Sequence, residues 1–235
     1  MFIDVGNTNT KILSNTGEIT SIDTKGFNIK NFLPYFKNDN EIIVASVVPH
    51  VLGEIKEGLI SMERDFYVID KSSPYSFSFN VDGVGVDRLL SIEGALTLVK
   101  SPCVVIDAGT AITVDFVNFK NNEAYLEGGI IIPGFDLELK SLNDHTALLP
   151  SLRSHLPNSL IGKTTKDAMI NGVCNTLIRG VTSLIDDVKA RSAVDEFKLF
   201  ITGGAGTFFN ELSQKKFTYV DDLIFKGMQN IARKR

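Results

Sequence analysis

The chain has 235 residues, 43% of them hydrophobic and 22% charged, with a formal net charge of −4 and a pI near 5.4. That is an ordinary globular composition, long enough for one large domain or two small ones. The acidic balance argues against nucleic-acid binding, and no apolar run reaches the roughly 18 residues a membrane span needs.

In chain order, hydrophobic periodicity predicts a short buried strand over Met1–Val5, then a hairpin of Thr10–Ser14 and Ile19–Thr24 about the turn Asn15-Thr16-Gly17. A short helix over Asn28–Lys37, a strand over Glu41–Val48, an amphipathic helix over Val51–Arg64 and a strand over Phe66–Asp70 follow. Residues Lys71–Gly85 are polar and turn-rich, and Val86–Lys100 has the pattern of a helix. The order then starts again. Cys103–Asp107, Thr113–Phe119 and Ala124–Ile132 are expected as three strands, followed by helical stretches near Leu137–Leu149 and Lys166–Lys189. A strand at Lys198–Thr202, a helix, a short strand at Phe217–Val220 and a terminal helix complete the prediction. Three strands followed by alternating helix and strand, twice over, is an α/β arrangement. Two related domains are expected, 1–101 and 102–235.

The most informative feature is an echo between the halves. Ile3-Asp4-Val5-Gly6-Asn7-Thr8-Asn9-Thr10-Lys11 returns as Ile106-Asp107-Ala108-Gly109-Thr110-Ala111-Ile112-Thr113. Each is an apolar strand ending in Asp, a small residue, Gly and a group of hydroxyl or amide side chains. Glycine lets the backbone turn tightly and approach a ligand, and successive N–H groups in such a turn form an anion-binding concavity. A strand-end Asp suits a cation, and Lys11 supplies a point charge for phosphate. A nucleotide triphosphate held between two similar domains accounts for the pair, with plain hairpin turns as the alternative.

Three further segments carry chemistry or a turn. Gly83-Val84-Gly85-Val86-Asp87-Arg88 opens a helix, with Asp87 either an N-cap or a proton acceptor beside an anion-gripping Arg88. Thr202-Gly203-Gly204-Ala205-Gly206 matches neither GxGxxG nor GxxxxGK; it suits either a nucleotide contact or a tight strand-to-helix turn. Ile161–Met169 begins the long helix, with Thr164 or Thr165 as its cap, and Gly172 within that helix hints at close packing. Cys103 and Cys174 lack CxxC spacing, the three histidines are scattered, and no secretory leader pattern is evident, so a reduced cytoplasmic protein without a zinc site is expected.

Taken together these segments resemble the type III pantothenate kinases. The resemblance rests on DxGNTxxK at Asp4–Lys11, GxDR at Gly85–Arg88, DxGTAxTxD at Asp107–Asp115, GGxIxPG at Gly128–Gly134, TxxAM at Thr165–Met169 and TGGxG at Thr202–Gly206. It implies the actin, Hsp70 and sugar kinase fold, two ribonuclease-H-like domains with ATP in the cleft, and phosphorylation of pantothenate as the first committed step to coenzyme A. On this resemblance Asp87 is the general base, and Gly85, Val86, Asp87 and Arg88 contact pantothenate. Asp4, Val5, Gly6, Asn7, Thr8, Asn9, Thr10, Lys11 and Thr110 contact ATP with its Mg²⁺. Asp107 holds a monovalent cation, potassium or ammonium, and Thr165 reaches pantothenate in the neighbouring subunit of a homodimer. One departure stands out. The family's substrate-contacting Tyr corresponds to Ser78 here, flanked by Tyr75, Phe77 and Phe79, and the contact is left unassigned. Alternatives are a kinase of another small hydroxylated substrate, or a transcription accessory protein on the same fold.

Overall fold

In the computed structural model, which describes residues 1–29, 41–192 and 194–235, strand β1 (Phe2–Val5) buries Ile3 and Val5 on one face and leaves Asp4 half-buried on the other. Strands β2 (Asn9–Leu13) and β3 (Ile19–Asp23) add to it as antiparallel hairpins. Gly17 turns the second hairpin at φ 86°, a conformation that glycine adopts without penalty. β4 (Ile42–Ser46) lies parallel to β1 and buries almost every side chain, as expected of a strand covered on both faces. β5 (Phe66–Val68) completes the order β3-β2-β1-β4-β5.

Helix α1 (Pro49–Ser61) starts with proline at its first position and buries Val51, Ile55 and Leu59, spaced four apart, against Ile3, Val5 and Val44. The opposite sheet face is covered by α2 (Val86–Leu98), packed with the last helix of the chain. Between α1 and α2 lies a short strand β6 (Phe77–Phe79), inside the stretch for which the sequence predicts only turns.

A second sheet repeats the first. Strands β7 (Cys103–Ala108), β8 (Ala111–Lys120) and β9 (Glu123–Pro133) form an antiparallel meander, closed at one turn by Asn121 and Asn122, both at positive φ. β10 (Lys198–Thr202) and β11 (Thr218–Tyr219) run parallel to β7, so that the strands of this unit are ordered β9-β8-β7-β10-β11. Strand for strand this is the order of the first sheet. Helices α3 (Phe135–Asp144), α4 (Thr165–Arg191) and α5 (Gly206–Leu212) bury Phe135, Leu139, Ile170, Val181, Ile185 and Phe209 in its core.

Two compact units result: Met1–Val99 with Asp222–Arg235, and Lys100–Asp221. The sequence expectation of a second domain running from 102 to 235 differs at its end. Helix α6 (Leu223–Lys234) places Phe225, Met228 and Ile231 in one core with Ile43, Ala45 and Leu90, so it belongs to the first unit. The predicted helix over Asn28–Lys37 lies outside the described residues from position 30 onward. Among the described residues no helix is long and apolar enough to cross a membrane.

Candidate active site

In the first unit the β1–β2 turn is held from inside. The Gly6 N–H donates to the Asn9 carbonyl at 3.0 Å, and the Thr24 N–H donates to the Thr8 carbonyl at 2.8 Å. The Thr24 hydroxyl donates to the Gly6 carbonyl at 2.8 Å and shares a 3.0 Å hydrogen bond with the Thr10 hydroxyl. Thr10 and Val5 are therefore turned into the fold and brace the loop, while Asn7, Thr8 and Asn9 are exposed at its tip. Asp4 and Lys11 stand directly opposite each other in the β1–β2 register, both half-buried. An anion docking on the turn would meet exposed amides with a lysine close behind.

The second feature of this unit is the start of α2. Gly83 turns the chain at φ 69°, Val84 is buried, and Gly85 is the capping residue, with no side chain to cap. Asp87 lies at the second helical position rather than at the cap. Its Oδ1 accepts the Arg88 N–H at 2.8 Å and folds back over Gly85, filling the space a Cβ there would occupy. Asp87 and Arg88 are both half-buried. A carboxylate in the first turn of a helix is favourable to the helix dipole.

In the second unit three glycine turns interlock at the end of β7. Asp107 sits in register between Thr113 of β8 and Thr202 of β10. The Gly109 N–H donates to the Ala111 carbonyl at 3.0 Å, the Gly134 N–H to the Thr110 carbonyl at 2.8 Å, and the Ala205 N–H to the Ala108 carbonyl at 2.8 Å. Gly203 adopts φ 91°, and a Cβ there would strike Asp107 Oδ1 and the Ala108 carbonyl. The TGGxG segment is thus fitted around Asp107, and Gly206 lies beneath the Tyr219 ring.

At the start of α4, Thr164 is the cap: its Oγ1 accepts the Asp167 N–H at 3.1 Å and donates to the Asp167 carboxylate at 2.8 Å. Thr165 is left exposed at the first helical position. Gly172 is exposed too, with nothing among the described residues within 4 Å of where a Cβ would stand, so no packing among them requires a glycine there.

The segment before β6 differs in kind. Tyr75, Phe77 and Phe79 form an aromatic cluster with centroids 5.6 to 5.9 Å apart, and Ser78 is exposed. The Tyr75 hydroxyl donates to the Asp70 carbonyl at 3.1 Å, and burial raises its pKa above the usual phenol range. A residue that sequence reasoning missed stands next to this cluster. Glu93 of α2 is fully buried and accepts hydrogen bonds from Ser76, Asn230 and Lys234. Its partners lie 17, 137 and 141 residues away, so no local pattern could reveal it.

A family model described as type III pantothenate kinase matches residues 1–187. A type III pantothenate kinase from Sulfurihydrogenibium is 30% identical over 96% of each chain, and one from Flavobacterium psychrophilum is 32% identical over 97% of this chain and 96% of its own. Among solved structures, a Campylobacter jejuni protein provisionally assigned to the Baf family of transcriptional activators superposes with a TM-score of 0.66 at 25% identity, over 99% of this chain and 97% of that one. A Sinorhizobium meliloti protein provisionally assigned as a 2-dehydro-3-deoxygalactonokinase gives 0.62 at 15% identity, over 99% and 98%. The latter likeness speaks to fold alone.

Proposed function

The chain belongs to the type III pantothenate kinase family, ATP-dependent kinases that phosphorylate pantothenate for coenzyme A biosynthesis, and on that premise we propose how its residues divide the work. Asp87 is the general base that takes the proton of the primary hydroxyl as the γ-phosphoryl group transfers. Arg88 grips the pantothenate carboxylate as a planar, bidentate donor. The observation that carries this reading is the Asp87 carboxylate, folded over Gly85 at the N-terminus of α2 with Arg88 beside it. Gly85 and Val86 contact substrate through their backbone.

Positioning and charge stabilisation dominate phosphoryl transfer. The Asp4–Lys11 turn offers its exposed amides and Lys11 to the phosphates, and Thr110 adds a hydroxyl. A Mg²⁺ ion bound mostly through phosphate oxygens and water needs only one or two protein carboxylates. The strand-end Asp4 meets that requirement, and the ion would offset phosphate charge. Asp107, with the Ala108 carbonyl at the same turn, offers the hard oxygen donors a potassium or ammonium ion requires. We place the enzyme in the cytoplasm as a homodimer in which Thr165 reaches the substrate of the neighbouring subunit. Exposed Leu160 and Ile161 just before α4, and the open Gly172, support an interface there.

The decisive experiment is pantothenate-dependent ADP release with Mg-ATP, in sodium buffer and with added potassium or ammonium. Turnover that requires pantothenate and rises with potassium supports both assignments. Folded protein without turnover in any salt would favour a different hydroxylated substrate or the regulatory role suggested by the Baf-family likeness. Light scattering on the same sample reads the oligomeric state.

A further inference from the structure

Glu93 sits in the middle of α2 with no exposed surface, yet it carries a carboxylate. Oε2 accepts the Ser76 backbone N–H at 2.7 Å. Oε1 accepts the Ser76 hydroxyl at 2.8 Å, the Asn230 side-chain amide at 2.6 Å and the Lys234 ammonium at 2.5 Å. Lys234 also donates to the Pro74 carbonyl at 3.1 Å and to the Ser76 hydroxyl. One buried side chain therefore joins three pieces of the first unit: α2, the segment entering β6, and α6.

Stability alone is a weak reason for this group. Taking a carboxylate out of water is costly, and a well-packed apolar residue of similar volume commonly serves folding as well or better. What a fully paired carboxylate adds is fixed geometry. Ser76 and Glu93 are the two ends of a stretch that contains β6, the Gly83 turn, Gly85, Asp87 and Arg88. Pinning Ser76 to Glu93 closes that stretch into a loop whose return arm is the first turns of α2. Asp87 is held from both sides, by its own helix and by the anchored approach to it.

We propose that Glu93 is a positioning residue for phosphoryl transfer: with Ser76 it closes the 76–93 segment and sets where Asp87 and Arg88 stand, and Asn230 and Lys234 of α6 lock that closure. The inference rests on the assignment of Asp87 as base. It makes α6, more than a hundred residues beyond Asp87 in sequence, part of the support of the active site. Loosening the clamp changes the aim of Asp87 without removing any group that touches substrate.

The test compares kcat and both KM values with the melting temperature for Ser76→Ala, Lys234→Met, their double mutant and Glu93→Gln. Ser76 and Lys234 are exposed, so their variants report even where Glu93→Gln folds poorly. Assayed well below melting, the double mutant is expected to lose roughly tenfold to a hundredfold in kcat with the ATP KM unchanged. Lys234→Arg should restore more of the rate than Lys234→Met. A kcat within about twofold of the parent, with only the melting temperature lowered, would show a purely structural clamp and overturn the proposal. Asp87→Asn is measured alongside. If it is inactive while the clamp variants run at the parent rate, only the role of Glu93 fails; if it runs at the parent rate, the base assignment fails and this role with it.

Discussion

Gly94 of α2 and Gly227 of α6 lie back to back where the two helices cross. A Cβ on Gly227 would stand 3.1 Å from the Gly94 nitrogen, and one on Gly94 would stand 3.2 Å from the Gly227 nitrogen. Each would also run into a backbone carbonyl of the other helix, that of Leu90 or of Leu223. Backbone atoms cannot rotate away as a side chain can. Gly94→Ala or Gly227→Ala should therefore force the helices apart and lower unfolding stability by about 1–3 kcal/mol, the usual cost of overpacking. Urea denaturation checks this. Because α6 also supplies Asn230 and Lys234 to Glu93, a fall in kcat is expected to accompany the lost stability.

Removal of the proposed base gives the most direct prediction about chemistry. Asp87→Asn should cost roughly 10²–10⁴ in kcat, the usual contribution of general base catalysis. Nucleotide affinity, read by titration with a non-hydrolysable ATP analogue, should be retained. Arg88→Ala should raise the pantothenate KM. Equal losses of turnover and nucleotide binding in Asp87→Asn would mark the residue as structural.

Gly85→Ala separates position from presence. The backbone there, at φ −73° and ψ 150°, suits alanine, so folding is expected to change by no more than about 0.5 kcal/mol. The added methyl nevertheless occupies the space taken by Asp87 Oδ1. Asp87 must turn away, and kcat should fall roughly tenfold or more. Melting temperature and kcat measured on one preparation decide it.

Gly203→Ala should act in the second unit by two routes. Its φ of 91° is unfavourable to alanine, at about 1–2 kcal/mol, and the methyl would meet Asp107 and the Ala108 carbonyl. The expected result is lower stability, a raised KM for ATP and a weaker response to potassium. The pantothenate KM should change less. An unaltered potassium response would remove Asp107 from the cation assignment.

Alkaline pH should destabilise the protein through its two thiols. Burial pushes Cys103 up to about 12, and burial with the nearby Asp136 charge pushes Cys174 up to about 11. Near pH 8 both thiols are protonated whether the chain is folded or unfolded, and the stabilisation is fully present. Above about pH 9 the unfolded chain loses protons that the native chain keeps, so stability falls as pH rises towards 11 and then 12. Urea midpoints between about pH 8 and 10.5 should drop, and the drop should shrink in Cys103→Ala/Cys174→Ala. A thiol reagent at neutral pH should react only after unfolding.

What could be read in advance follows from how local each signal is. The Asp-Gly loops after β1 and β7, the Gly17 hairpin and a cap at Thr164 or Thr165 announce themselves within a few residues, because turn and cap chemistry depends on near neighbours. β6 was hidden because Phe77-Ser78-Phe79 is too short to show a period among serines just after Pro74. Thr10 has the sequence look of a ligand contact, but Thr24, in the turn just after β3, draws its hydroxyl inward. The membership of α6 in the first unit, and two of the three partners of Glu93, depend on residues more than a hundred positions away. Periodicity sets which face of a helix is apolar, not which core will receive it.

The division of the chain also orders events during its synthesis. A ribosome delivers Met1–Val99 first, then the whole of the second unit, and only at the end the helix that finishes the first. Until Asp222–Arg235 emerges, the α2 surface around Leu90 and Gly94 has no cover, and Glu93 lacks Asn230 and Lys234. The second unit is continuous and can fold in the meantime. The proposed catalytic helix therefore receives its final support last, and a chain cut short before α6 would have an uncovered core in its first unit despite carrying every motif up to Gly206.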